Sequence, residues 1–436
     1  MDLTLKQLRE ELKYDKTNKC VQCGYCIPVC PTYTTFKKET HSPRGRINLV
    51  KMVGEGRISE LSVLEESFDL CLGCRACESA CPTGVEYGSI LESVRFALEK
   101  RKSPFVLKRL LQKVILRKVV PSRKIMNLTG HTFWLYEKTK LQKAVRFSGI
   151  KKVIPNKMGT FESVIPESVP PKERRNLSKG ISTKKEAKYT VAFFVGCVMD
   201  AMFHRINQLS IKLLSEVGCN VIVVQNQTCC GALHAHAGDI YEARRLAKEN
   251  ISAFEQINAD FIVNNAGGCG AMLYEYGHLL EDDHEWAERA SNFSNKSRDI
   301  SQIIFACGGL PKSAFRNNER ITYQPSCHMI NVQKVKNEPI ELIKAIPGIN
   351  FIEMEQADSC CGSAGIYNIV NYEASMQILD EKMKHTKATE ATTIITTNPG
   401  CLLQMKIGIE REGFSQSMRA LHLIEYLAEV YGISKI

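Results

Sequence analysis

Sixteen of the eighteen cysteines in this chain fall into patterned sets, and two of those sets are compact runs. CVQCGYCIPVCP carries Cys20, Cys23, Cys26 and Cys30, and CLGCRACESACP carries Cys71, Cys74, Cys77 and Cys81. Spacings of three, three and four residues closed by a proline form the ligand run of a cubic 4Fe-4S cluster, and where two runs occur together the fourth cysteine of each serves the other's cluster. The spacing thus predicts one cluster on Cys20, Cys23, Cys26 and Cys81, and another on Cys71, Cys74, Cys77 and Cys30. A pair of zinc knuckles is the alternative, but such sites join two separated ligand pairs rather than four ligands in one run.

The other eight patterned cysteines lie in a duplicated half. Strand-like runs end at Cys197, at Cys229 and Cys230, and at Cys269; they end again at Cys327, at Cys360 and Cys361, and at Cys401, with partners offset by 130 to 132 residues. A duplicated domain is the simplest origin of such a period. Consecutive side chains normally diverge, so Cys229-Cys230-Gly231 and Cys360-Cys361-Gly362 need an irregular backbone that the glycine can supply. Soft thiolates at these eight positions suit a further iron–sulfur cluster or zinc. Cys219 and Cys307 follow no pattern and are expected as inert buried thiols. His234, His236 and His328, beside these cysteines, are open between ligand, proton carrier and plain surface residue.

The elements that must position these residues differ along the chain. Residues 1–100 are expected to be short helices and loops around two inorganic anchors that replace most of a hydrophobic core. Arg44 and Arg46, in the turn HSPRGRINLVKMV, are expected as surface charges, with a neighbouring subunit or an anionic cluster as the other possibility. Residues 101–186 form a basic helical segment and linker. From Arg101 to Lys152 there are fifteen Lys or Arg against the single acidic Glu137. Apolar Phe105, Leu107, Leu110, Leu111, Val114 and Ile115 interleave with Lys108, Arg109, Lys113, Arg117 and Lys118, the pattern of a basic amphipathic helix that packs on its own protein, on a partner or on an anionic membrane surface. A stretch bearing Pro155, Pro166, Pro170 and Pro171 then reads as a linker. In residues 187–310 and 311–436 strands alternate with helical stretches, which predicts two small parallel sheets with covering helices, cysteines at the strands' carboxyl ends.

Bulk properties agree with a multidomain α+β protein. The 436 residues are 44% apolar, enough for real cores. MDLTLKQLREELKYD has no apolar signal region and no run approaches the roughly 18 apolar residues of a spanning helix, so a cytoplasmic protein is expected, with peripheral contact at the inner membrane face as the extension. In a reducing cytosol abundant cysteine means metal rather than disulfides. The net charge of +11 comes with no nucleic-acid motif and is read as a docking feature, with no nucleic-acid partner expected.

The duplicated half resembles the cysteine-rich CCG domains of heterodisulfide reductases and of iron–sulfur subunits of flavin-linked dehydrogenases. The family pattern ends in Cys-x-x-Cys, whereas here the earlier positions are Ala266 and Asn398, so each half keeps four of five cysteines. The order of a two-cluster ferredoxin-type domain, a basic linker and two CCG repeats, with the motifs SPRGRI, CLGCRACESACPTGVEYG, CCGALHAHAG and TTNPGCLLQ, resembles the iron–sulfur subunits of glycolate oxidase. Lactate and glycerol-3-phosphate dehydrogenase subunits share that layout. The resemblance implies an FAD-containing partner that oxidises a 2-hydroxy acid, with this chain carrying electrons to a quinone or other acceptor. No GxGxxG fingerprint occurs here, and no catalytic residue is expected in this chain. A thiol-disulfide reductase acting through the CCG cysteines is the competing expectation.

Overall fold

The computed structural model describes residues 4–102, 107–139, 156–174, 180–310 and 318–433. The N-terminal part is helical. Its longer helices are Pro43–Gly54, started by Pro43 and an Oγ cap from Ser42 to the Gly45 amide, and Tyr87–Arg101. Ile47, Val50 and Val53 on the first and Ile90, Leu91, Val94, Ala97 and Leu98 on the second belong to one core, a helical apolar stripe on each. Contrary to the expectation of anchors in place of a core, Leu12, Leu64 and Phe68 complete a conventional hydrophobic core beside the cysteine loops.

Two four-stranded sheets follow, both entirely parallel. The first comprises β1 (Tyr189–Phe193), β2 (Cys219–Val223), β3 (Phe261–Asn264) and β4 (Ser297–Asp299), in the order β2-β1-β3-β4. The second comprises β5 (Arg320–Gln324), β6 (Asn350–Phe351), β7 (Thr393–Thr396) and β8 (Arg419–His422), in the order β6-β5-β7-β8. The repeat therefore extends to topology. β4 and β8 carry no strand pattern in the sequence, because SRD and RALH are short edge segments without an apolar run. Central strands such as Thr393–Thr396 are buried throughout, as helices on both faces require.

One apolar core runs from the first repeat into the second. It joins Val191, Phe193 and Leu213 to Ile394, Ile395 and Leu427. Loops reinforce the joint: the Gly267 amide donates to Thr397 O, Gly268 N donates to Asn398 Oδ1 at 3.0 Å, and the buried His422 ring bonds Asn265 O through Nε2 at 3.0 Å.

In its described residues the segment between the helical domain and the sheets carries helices. Helices Leu107–Val114 and Arg123–Lys138 flank a π-helical turn at Ile115–Val119, and helices Asn156–Val164 and Pro171–Arg174 follow. Phe105 and Pro155 lie outside the described residues. Among the described residues no helix is long and apolar enough to cross a membrane.

Candidate cluster and thiol sites

In both compact runs the residues flanking the second cysteine take positive φ: Gln22 at 60° and Gly24 at 90°, Gly73 at 64° and Arg75 at 59°. For Gln22 and Arg75 this costs on the order of 1–2 kcal/mol each, strain of a kind that concentrates where a loop wraps a ligand. Cys20, Cys23, Cys26 and Cys81 line one small cavity, which Cys77 also borders. Cys71, Cys74, Cys77 and Cys30 gather on its inner side, close enough that each of Cys74 and Cys77 is electrostatically affected by Cys30 and Cys71.

The inner set sits in a cationic cradle. Arg46 is 1% exposed and has no carboxylate partner among the described residues; it donates to Ser67 O and Thr32 Oγ1, and its Nη1 lies 4.0 Å from Cys30 Sγ. A buried, unpaired guanidinium is costly, by several kcal/mol, unless an anion faces it. Burial alone raises the Cys71 thiol, but Arg46, Arg95 and the Tyr87 hydroxyl at 3.5 Å outweigh it and hold Cys71 below the usual thiol range. The buried Tyr367 hydroxyl has no hydrogen-bond partner among the described residues and is influenced by both Cys71 and Cys360. These residues fit an anionic cluster: a counter-cation without an acid and a donor without an acceptor both face the thiols. Arg44 is the surface charge expected, paired with Glu39 at 2.7 Å. Arg46 is not, and the signal was its place one helical turn before Val50 on the buried stripe.

Each repeat brings its four scattered cysteines together beyond the carboxyl ends of its strands. Gly231 and Gly362 take φ of +90° and +89°, which turns the chain after each cysteine pair. At Gly362 a Cβ would lie 2.7 Å from Ser375 O, so no other residue fits without displacement. Cys197 Sγ lies 3.4 Å from Cys229 Sγ, and Cys230 accepts from both Cys229 and Cys269, which holds its thiol well below the ordinary range while Cys229 and Cys269 are pushed up. The second repeat copies this with Cys327, Cys360, Cys361 and Cys401, Cys361 being the low one. In each quartet one sulfur thus accepts from two of its neighbours. Among the described residues no group of three or more His, Cys, Asp or Glu side chains has the geometry of a single-ion site; a cube takes its thiolates at separate corners.

The positions without the fifth cysteine have other duties. Asn398 Nδ2 lies 3.6 Å from Cys401 Sγ while its Oδ1 caps Gly268 of the other repeat, and Ala266 is core. Cys219 and Cys307 are buried with sulfurs 3.7 Å apart, and burial pushes Cys219 up to about 12. His234 is fully buried and tethers the linker through Leu116 O at 2.7 Å. His328 bonds Gly73 O at 3.0 Å, and the His236 ring stacks on it with centroids 5.1 Å apart.

The domains meet around the second compact run. Asn331 Nδ2 donates to Cys74 O and Ser79 Oγ to Asn331 Oδ1. After burial, Cys327 is the largest influence raising the Cys74 thiol, which sets the inner cysteines beside the second quartet. Leu72, Cys360, Tyr367 and Ile378 form a small apolar cluster at that junction, with Cys74 and Cys327 packed on it. Sequence patterning had no means of ranking the two quartets by their distance from the compact runs.

Residues 16–85 match the 4Fe-4S dicluster domain, 191–274 and 321–406 the cysteine-rich CCG domain, and 107–165 the linker region of glycolate oxidase iron–sulfur subunits. The chain is 46% identical over 434 residues to the probable glycolate oxidase iron–sulfur subunit of Bacillus subtilis (strain 168), covering 98% of each chain. It is 29% identical over 386 residues to the glycolate oxidase iron–sulfur subunit of Escherichia coli (strain K12), covering 88% of each. Lactate utilization protein A of Oceanobacillus iheyensis is 34% identical over 237 residues, which is 54% of this chain and 96% of that protein. On the length and identity of the first match, the chain belongs to the family of glycolate oxidase iron–sulfur subunits.

Proposed function

We propose that this chain is the electron relay of a flavin-linked 2-hydroxy-acid dehydrogenase, with glycolate as substrate. Its partner is an FAD-containing subunit that removes the hydride. The observation that carries the reading is the file of thiol sets from Cys20, Cys23, Cys26 and Cys81, through Cys71, Cys74, Cys77 and Cys30, to Cys327 beside Cys74.

Two 4Fe-4S clusters on the compact runs would supply one-electron carriers that divide the flavin's electron pair. The chain's residues do the rest. The cysteines fix cluster positions, Arg46 offsets negative charge at the inner set, and Leu72, Tyr367 and Ile378 exclude water between that set and the second quartet. The two CCG quartets are candidate ligands for a further cluster or zinc. No residue of this chain is assigned to substrate.

On the segment after Leu107, Leu110, Leu111, Val114 and Ile115 are exposed while Leu116 is buried against the first repeat, and Lys113, Arg117 and Lys118 lie among them, Lys113 paired with Glu99 and Arg117 with Asp239. Apolar side chains within a basic field complement an anionic lipid surface. Binding to anionic vesicles is expected to weaken with salt and with K113E/R117E; binding insensitive to both removes the membrane contact.

The central test is purification with the co-expressed flavoprotein. About eight iron and matching acid-labile sulfide are expected on the compact runs, with glycolate-dependent reduction of an artificial dye. A complex without iron, or one oxidising neither glycolate nor lactate, overturns the reading. The lactate utilization relatives give lactate as the second substrate, and a higher kcat/KM for lactate than for glycolate selects it.

A further inference from the structure

A cleft of about 430 Å³ opens where all parts of the chain meet, walled by Cys71 and Arg95 of the helical domain, Gln112 of the linker helix, His236 of the first repeat, and Tyr367 and Val370 of the second. Its volume is that of a small-molecule site, and no element of the relay occupies it. We infer that this cleft receives the head group of a quinone, the acceptor for electrons leaving the chain; this rests on the relay reading above.

Three observations select that ligand class. Cys71, a proposed ligand of the inner cluster, lines the cleft, so an occupant lies against a redox centre. Arg95 braces this back wall by donating to Phe68 O, Cys71 O and His236 O at 3.2, 2.6 and 3.1 Å. Next, the His236 ring is held by stacking on His328, yet its nitrogens have no hydrogen-bond partner among the described residues, leaving an N–H for a carbonyl oxygen. Finally, the mouth is apolar and the charges around it are paired. Ile369 and Val370 are 61% and 46% exposed on one lip, and Leu110, Leu111, Val114 and Ile115 are exposed on the helical segment that forms the other, while in the wall Lys113 pairs with Glu99 at 3.0 Å, Lys102 with Asp69 at 3.6 Å and Asp239 with Arg117 at 2.6 Å. A lipid-borne acceptor enters from such a surface, whereas a soluble charged one gains nothing from it.

The chemistry balances without another reagent. Oxidation of the hydroxy acid by the flavoprotein yields two electrons and two protons. The electrons reach the cleft singly along the thiol sets, the two quinone carbonyls become hydroxyls, and the two protons they acquire come from water at the open mouth.

The test uses the complex with its flavoprotein and compares three acceptors: an artificial dye, a fully substituted short-chain benzoquinone in solution, and an isoprenoid quinone in anionic vesicles. Gln112→Trp and Val370→Trp each fill the cleft without touching a cysteine. The expected result is a drop of at least about tenfold in kcat/KM with both quinones, with dye reduction and iron content retained. Equilibrium binding of the benzoquinone to the oxidised, substrate-free complex weakens by the same factor. Unchanged binding and quinone reduction in both variants overturns the site, and so does a loss confined to the soluble benzoquinone. Failure of the relay reading looks different, because wild-type complex then lacks iron or dye reduction.

Discussion

The two CCG repeats share topology, cysteine geometry and a turn glycine, yet they face different neighbours. The first quartet is roofed by the linker: Val120, Pro121, Arg123 and Met126 border Cys197 and Cys229, and Thr228 Oγ1 donates to Pro121 O. The second quartet looks onto Cys74, Leu72 and Tyr367 of the inner-set junction. Their buried polar groups also differ. Gly231 faces Ala243 and Gly362 faces Ser375, a correspondence that pairs Asn250 with Lys382. Asn250 is a neutral amide donating to Cys229 O. Lys382 is a buried ammonium bonded to Gln356 O and Ala357 O, pushed down to about 8 by burial although Cys361 and Cys360 favour its charge. Duplication supplied two similar cradles, and their surroundings set one against the inner cysteines and the other against the linker.

The sharpest way to break this comparison is to remove matched ligands. In the complex, Cys361→Ser is expected to cut reduction of a centre at the second quartet by about 100-fold or more, whereas Cys230→Ser costs that centre under about threefold at matched iron content on the compact runs. Equal losses would mean that both quartets lie on the route.

Acid separates the repeats next. His422 and Asp299 cap equivalent helices, Leu423–Val430 and Ile300–Ala306. Burial pushes His422 down from 6.5 to about 4, so the native ring stays neutral where the unfolded chain takes a proton. That stability is present above pH 6.5 and is lost as pH falls toward 4, about 3 kcal/mol in all. Burial pushes Asp299 up from 3.8 to about 6, which gives the opposite slope: its contribution is full below pH 3.8 and is lost as pH rises through 6. Hydrogen-exchange protection factors, corrected for the intrinsic rate at each pH, should therefore fall between pH 6.5 and 4.5 in Leu423–Val430 but not in Ile300–Ala306, and His422→Asn, which keeps a cap, should remove the difference.

A smaller effect concerns the buried cation. Lys382→Met is expected to lower the reduction potential of a centre at the second quartet by about 60 mV, a tenfold change in a one-electron equilibrium. Asn250→Leu should shift the first quartet less, as a redox titration followed by electron paramagnetic resonance would read. The smallest changes are at the joints. Ser79→Ala, which frees Asn331 beside Cys74, and Thr228→Val, which frees Pro121 O, should each cost about 1 kcal/mol in thermal unfolding. Only the former should slow electron transfer to the second quartet.

Much of this arrangement is legible in the chain because cysteine spacing reports ligand geometry and duplication reports topology. The two runs, the paired cysteines with their glycines and six of the eight strands could be read from local pattern. Arg46 could not, because its neighbours resemble a surface turn and only helix packing buries it. The compact core of the helical domain was likewise hidden, since Leu12, Leu64 and Phe68 are isolated in sequence. His234, His236 and His328 looked alike beside their cysteines, and three-dimensional placement gave them three roles: a tether to Leu116, a cleft wall and a tether to Gly73.

The sequence by itself determined which residues could bind iron, how many sets they form and that the sets are duplicated, since these depend on residue type and on separations of a few positions. Only the tertiary structure decided which quartet neighbours Cys74, which arginine is buried against thiols and where a cleft opens. Those outcomes come from packing between segments some 250 residues apart, such as Ser79 on Asn331, and no local pattern encodes them.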